Sequence, residues 1–204
     1  MQLQREILTI ILFLGYLSLW YIKRRELLKS DGIEVNVLQK ATKPIQRYFH
    51  ALERVMTLLI VSLIVSHSLF SEKWIAFRPI HIVNKPTIMY FGFILGFLGL
   101  VLCRIAQVTI GKSWRVGIDE QSKSGLISNG IYAYIRNPTY TGLYLLCIGV
   151  WLINPTIAYS YWILLFYIMM EFQVRCEEEY LETMYGNEYL EYCKRTKKYI
   201  PLIY

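Results

Sequence analysis

An all-α, polytopic membrane bundle of about five transmembrane helices is the fold class this sequence predicts, and three observations predict it. Of its 204 residues, 55% are hydrophobic and only 18% charged, a balance too apolar for an ordinary soluble domain of this size. The apolar residues gather into five runs, about 7–22, 55–70, 87–106, 138–153 and 156–172. The positive charges fall on one side of those runs. With the N-terminus outside, segments 23–54, 104–136 and 175–198 hold eight, five and five Lys or Arg, whereas the other side holds only Arg5, Lys73, Arg78 and Lys85. Eighteen against four is the bias that keeps connections cytoplasmic. It assigns the net charge of +7 to membrane topology and anionic headgroups, and nucleic acid is not expected as a partner.

The first run, Ile7 to Ile22, is followed by Lys23-Arg24-Arg25 with no small-residue cleavage site, which predicts a retained helix rather than a removed leader. Several runs fall short of the roughly 17–25 residues that a bilayer core requires, so flanking residues must complete the spans. The polar stretch Ser30 to Thr42 connects the first two. The fourth and fifth are separated only by Asn154-Pro155, a turn dipeptide whose proline cannot continue the incoming helix. They are expected to form a tight antiparallel hairpin, so that loop 107–137 and tail 173–204 emerge together on the cytoplasmic face. Within the tail, Leu181, Met184 and Tyr185 recur at helical spacing. Gly186 then suits a helix end and Asn187 a new N-cap, predicting two helices. The chain divides accordingly into N-terminal helices with a basic connector, 1–86, and a core over 87–204.

Two places in this framework carry chemistry. Arg136-Asn137-Pro138 opens the fourth run, with proline suited to the first helical turn and asparagine to the N-cap. A helix N-terminus presents free N–H groups and partial positive charge, which suit a carboxylate or phosphate, with Arg136 adding to the attraction. The plain alternative is a cap beside a cytoplasmic anchor. Glu177-Glu178-Glu179 follows the fifth run, where cations would be the usual choice. Such carboxylates suit hydroxyls or a cationic group; otherwise they are a solvated face. Glu177 shares a helical face with Leu181, which makes it the inward candidate.

Other residue classes point away from chemistry. Cys103, Cys147, Cys176 and Cys193 form no CxxC pair, and His50, His67 and His81 lack ligand spacing, so neither a disulfide framework nor a metal site is expected. His67, at membrane depth, is expected to make an interhelical hydrogen bond, and Gly92, Gly96 and Gly99 to let helices approach.

Taken in order, Gly111-Lys-Ser-Trp-Arg-Val-Gly-Ile-Asp119, Leu126-Ile-Ser-Asn-Gly-Ile-Tyr132, Arg136-Asn-Pro-Thr-Tyr-Thr-Gly142, Asn154-Pro155, and Glu177-Glu178 with Leu181, Tyr185-Gly186, Tyr189 and Tyr192 resemble a known family. It is that of the integral-membrane methyltransferases related to isoprenylcysteine carboxyl methyltransferase and the phospholipid N-methyltransferases, in a bacterial-type form. The resemblance implies S-adenosylmethionine as cofactor, bound on the cytoplasmic side of a plasma membrane. By position it implies contacts from Leu126, Ile127, Tyr132, Arg136, Asn137, Pro138, Thr139, Tyr140, Glu177 and Glu178. The implied reaction is in-line transfer of an activated methyl group to a lipid-soluble or amphiphilic acceptor. It needs alignment and dryness rather than a protein nucleophile, so no catalytic residue is assigned beyond an orienting role for Arg136.

Two positions depart from the carboxyl methyltransferases. Asn137 stands where they have His before the proline, and Gln173 where they have a substrate arginine four residues before the glutamate; prenylated-protein methylation is therefore not expected. Two other readings compete: a membrane reductase of the steroid or sterol type using NADPH, and a non-catalytic adaptor acting through the basic segment 23–54.

Overall fold

The computed structural model describes residues 2–32, 44–70, 73–115 and 125–201. Helices α1 (Gln2–Asp31), α2 (Pro44–Phe70), α3 (Pro86–Ile110), α4 (Pro138–Ile153), α5 (Ile157–Tyr185) and α6 (Asn187–Arg195) account for most of them. Their limits follow from the sequence. Proline opens α2, α3 and α4, where the missing N–H would have had no intrahelical partner. Gly111 ends α3 at φ 61° and Gly186 ends α5 at φ 51°, a region that favours glycine. Among the described residues, four helices are long and apolar enough to cross a membrane, and α4 is a shorter apolar helix of 16 residues, about 24 Å long. The expectation of about five spans becomes four full-length helices and one short one.

The fifth run does not stop at 172. Helix α5 continues without a break to Tyr185, carrying the acidic stretch on its last turns. No Pro or Gly interrupts residues 173–185, and Gln173 and Val174 are buried, so packing carries the helix past the apolar limit. The break at Gly186 falls where the sequence places it. Asn187 is not the cap, however: Gly186 occupies that position and its carbonyl accepts from Leu190 N–H at 3.2 Å.

Leu12, Ile60, Met89, Leu100, Leu146, Ile153 and Tyr159 form a core shared by α1 to α5. At its centre α3 and α4 lie backbone against backbone. A Cβ on Gly149 would come within 2.5 Å of the Gly92 carbonyl oxygen, and one on Gly99 within 2.4 Å of that of Gly142. For His67, no interhelical hydrogen bond is found among the described residues. It is buried edge-on between Phe77 and Tyr159, with ring centroids 5.7 and 5.6 Å away.

The hairpin turn is held by polar groups from α1. Asn154 Nδ2 donates to Thr9 Oγ1 at 2.7 Å, and Thr156 Oγ1 accepts from Tyr159 N–H at the start of α5. Arg5, 6% exposed, donates to the Ile153 carbonyl and to Asn84 Oδ1, placing a cation at the end of α4 where the helix dipole is negative. Arg5→Met should therefore lower the unfolding free energy by about 1–3 kcal/mol through two acceptors left unpaired. Thermal unfolding in detergent would show it.

Candidate functional site

At the other end of the bundle the chain enters α4 through a single 3-10 turn, Gly130–Ala133, which starts at a left-handed Gly130 with φ 55°. The C-terminal strap then runs alongside this entry. Lys197 N–H donates to the Tyr134 carbonyl at 3.2 Å, Arg136 N–H to Lys197 at 2.8 Å and Asn137 N–H to Lys198 at 3.2 Å. Helix α6 adds Tyr192, whose hydroxyl donates to the Tyr132 carbonyl at 2.8 Å.

Burial pushes the Tyr192 phenol up to about 12, so it stays a donor at neutral pH. A raised phenol value stabilises the folded chain fully below the unfolded value of about 10, and the contribution is lost as pH rises through the folded value. Burial also pushes the Tyr132 phenol up. Tyr192→Phe should cost about 1 kcal/mol at neutral pH, measured by denaturant unfolding.

Two adjacent carboxylates on α5 meet this entry. Glu178 Oε1 accepts from Arg136 Nε and from Asn137 Nδ2, each at 3.2 Å, and Lys198 Nζ lies 3.6 Å from its Oε2. Arg136 Nη1 also donates to the Thr196 carbonyl at 2.9 Å. Glu177 Oε1 accepts from Tyr140 O–H at 2.6 Å and from Gln173 Nε2 at 2.9 Å. Residues some forty positions apart thus share one site. Helix α4 does begin at Pro138, but the Asn137 side chain makes no cap bond. It reaches across to Glu178 instead. Arg136 likewise pairs with Glu178, and Glu177 faces Tyr140. A third carboxylate, Glu171, takes Lys198 and Tyr199 O–H at 2.5 Å and anchors the strap.

These groups bound a cavity of about 350 Å³ that extends between the helices. Tyr132, Arg136, Asn137 and Pro138 line it, together with Thr139, Tyr140, Glu177 and Glu178. Leu126 and Ile127 are half-buried and outside that lining. Of the upstream motif, Val116 to Asp119 lie outside the described residues, as does most of the Ser30 to Thr42 connector. Sequence reasoning missed Gln173 as a partner of Glu177, although the i,i+4 spacing on one helix is a readable signal. The strap had no such signal beyond its basic character.

Several known proteins resemble this chain in sequence or fold. A family model described as phospholipid methyltransferase matches residues 87–188. Protein-S-isoprenylcysteine O-methyltransferase B of Arabidopsis thaliana is 29% identical over 117 residues, 55% of this chain and 59% of that protein. The Schizosaccharomyces pombe protein-S-isoprenylcysteine O-methyltransferase is 30% identical over 130 residues, 61% of this chain and 55% of its own. The Homo sapiens protein of the same description is 32% identical over 118 residues, 55% and 40% of the two chains. The chain therefore aligns with less than two thirds of the length of these relatives. Among solved structures, the eukaryotic intramembrane Ras methyltransferase, isoprenylcysteine carboxyl methyltransferase, superposes with a TM-score of 0.62 at 21% identity. That match covers 96% of this chain and 68% of the other, which establishes a shared fold. The chain belongs to the phospholipid methyltransferase family.

Proposed function

We propose that the chain is an integral-membrane methyltransferase that binds S-adenosylmethionine between the start of α4 and the carboxylates of α5, and methylates a lipid-soluble or amphiphilic acceptor. The observation that carries this reading is the meeting of a helix N-terminus and the Glu177 carboxylate on one cavity. The donor set fits the cofactor. The Thr139 and Tyr140 amides, in the first turn of α4, have no i−4 carbonyl within the helix and suit a methionyl carboxylate. Glu177 suits the ammonium or ribose hydroxyls, and the Gln173 Oε1 atom beside it is buried with no hydrogen-bond partner among the described residues, ready for a donor. Tyr132 and Tyr140 offer aromatic faces to adenine.

When bound, the cofactor supplies a methyl group already activated on a sulfonium. The chain's own part is to align and to keep the site dry, which the apolar walls from α1 to α5 do. Arg136, bonded to Glu178 and the strap, holds the start of α4 in place rather than meeting the ligand. The charge bias supports a cytoplasmic position for this end of the bundle, with the N-terminus outside, and the bacterial-type resemblance supports the plasma membrane of a bacterium.

The test is to incubate membranes containing the chain with methyl-labelled S-adenosylmethionine and to separate lipid, protein and small-molecule fractions. Label above the empty-membrane background is expected in the lipid or small-amphiphile fraction. Background label in every fraction would sink the reading.

A further inference from the structure

The C-terminal strap meets both halves of the site, and Lys198 is where it does so with backbone and side chain together. Its carbonyl accepts from Asn137 N–H at 3.2 Å, one residue before Pro138 opens α4. Its Nζ donates to Glu171 Oε1 at 2.5 Å and lies 3.6 Å from Glu178 Oε2, both on α5. The side chain is 13% exposed, so these charges meet where salt screens them weakly. Tyr199 repeats the pattern. Its carbonyl takes Thr141 Oγ1 of α4 at 3.0 Å, and its hydroxyl donates to Glu171 Oε2 at 2.5 Å.

The two helices need such a tie at this end. Glycine contacts seat α4 on α3, whereas the start of α4 is joined to α5 by the side-chain pairs Tyr140 to Glu177 and Asn137 to Glu178. Such hydrogen bonds weaken steeply once distance and angle drift. The charges are divided to match. Arg136 and Lys198 answer Glu178, and Lys198 also answers Glu171. Arg175, 75% exposed, adds a contact to Glu171 at 3.4 Å. Glu177, by contrast, bonds to the neutral Tyr140 and Gln173. The cations of the entry and strap are thus taken up by its neighbours on α5, which leaves the Glu177 charge for a ligand.

We propose that Lys198 is a positioning residue for methyl transfer. By tying the start of α4 to Glu171 and Glu178, it fixes the gap that S-adenosylmethionine spans and keeps Glu177 clear of cations. Neither Lys198 nor Glu171 lines the cavity, so the effect reaches the ligand through Asn137 and Glu178. The proposal rests on the methyltransferase reading.

The test is calorimetric titration of the purified chain with S-adenosylmethionine, run well below the melting temperature and alongside thermal unfolding. Lys198→Met should weaken the cofactor at least about tenfold, the scale of one hydrogen bond to a charged group. Lys198→Arg should recover most of that affinity, because a guanidinium can bridge the same two carboxylates. Glu171→Gln removes the charge that Lys198 answers but keeps an oxygen for the strap; it should fold and weaken the cofactor at least about threefold. Two controls separate position from stability and from net charge. Arg5→Met loosens the opposite end of the bundle, and Lys194→Met removes a cation from an exposed pair on α6; both should bind like wild type. Wild-type affinity in Lys198→Met would overturn the proposal, and should that variant fail to fold, wild-type affinity in Glu171→Gln would do so. An equal loss of affinity in Arg5→Met, or a Lys198→Arg variant as weak as Lys198→Met, would also overturn it and leave the donor site standing. Absence of S-adenosylmethionine binding to the wild-type chain would instead overturn the reading beneath it.

Discussion

Glu177→Ala is expected to weaken S-adenosylmethionine binding by at least about tenfold, the loss of one hydrogen bond to a charged group. The substitution removes the cavity carboxylate that meets the start of α4. It also leaves Tyr140 O–H and Gln173 Nε2 without the acceptor they now share, so the variant should lose some stability as well. Glu177→Gln separates the two effects. It keeps an oxygen for Tyr140 but no charge, so stability should largely return while affinity stays low. Titration of the cofactor alongside thermal unfolding reads both. A glutamine variant that binds like wild type would move the cofactor away from this carboxylate.

Gly99→Leu should abolish recovery of a monodisperse protein. A Cβ at this position would lie 2.4 Å from the Gly142 carbonyl oxygen and 2.7 Å from Leu146 N, and both are backbone atoms that cannot swing aside. Even Gly99→Ala forces α3 and α4 apart, at a cost of about 1–3 kcal/mol. The shift also carries Asn137 to Tyr140 away from Glu177 and Glu178, because α4 bears them. Gly15→Ala is the control: its Cβ would meet Leu100 Cδ1 at 2.8 Å, the end of a side chain that can change rotamer. Near-normal yield and melting are expected for Gly15→Ala, against loss for Gly99→Leu, by size-exclusion chromatography and thermal unfolding.

The contrast between those glycines shows what the sequence could convey. The spacing of Gly92, Gly96 and Gly99 signals a close helix approach, but the facing Gly142 and Gly149 are read only once the hairpin is in place. Asn154-Pro155 announces that hairpin outright, since few dipeptides stop a helix so firmly. The site was legible at the level of segments: Pro138 opens α4, and Glu177 and Glu178 arrive beside it. Which carboxylate takes which partner was not legible. A helical turn separates inward from sideways by angle, and the strap beside Arg136 and Asn137 pairs through backbone atoms that every residue carries.

Side-by-side calorimetric titration of the purified chain with S-adenosylmethionine and with NADPH tests most directly whether the start of α4 and the end of α5 form a methyl-donor pocket. Saturable heat from S-adenosylmethionine, lost in Glu177→Gln, with none from NADPH, is the predicted result. Binding of NADPH without binding of S-adenosylmethionine would contradict it.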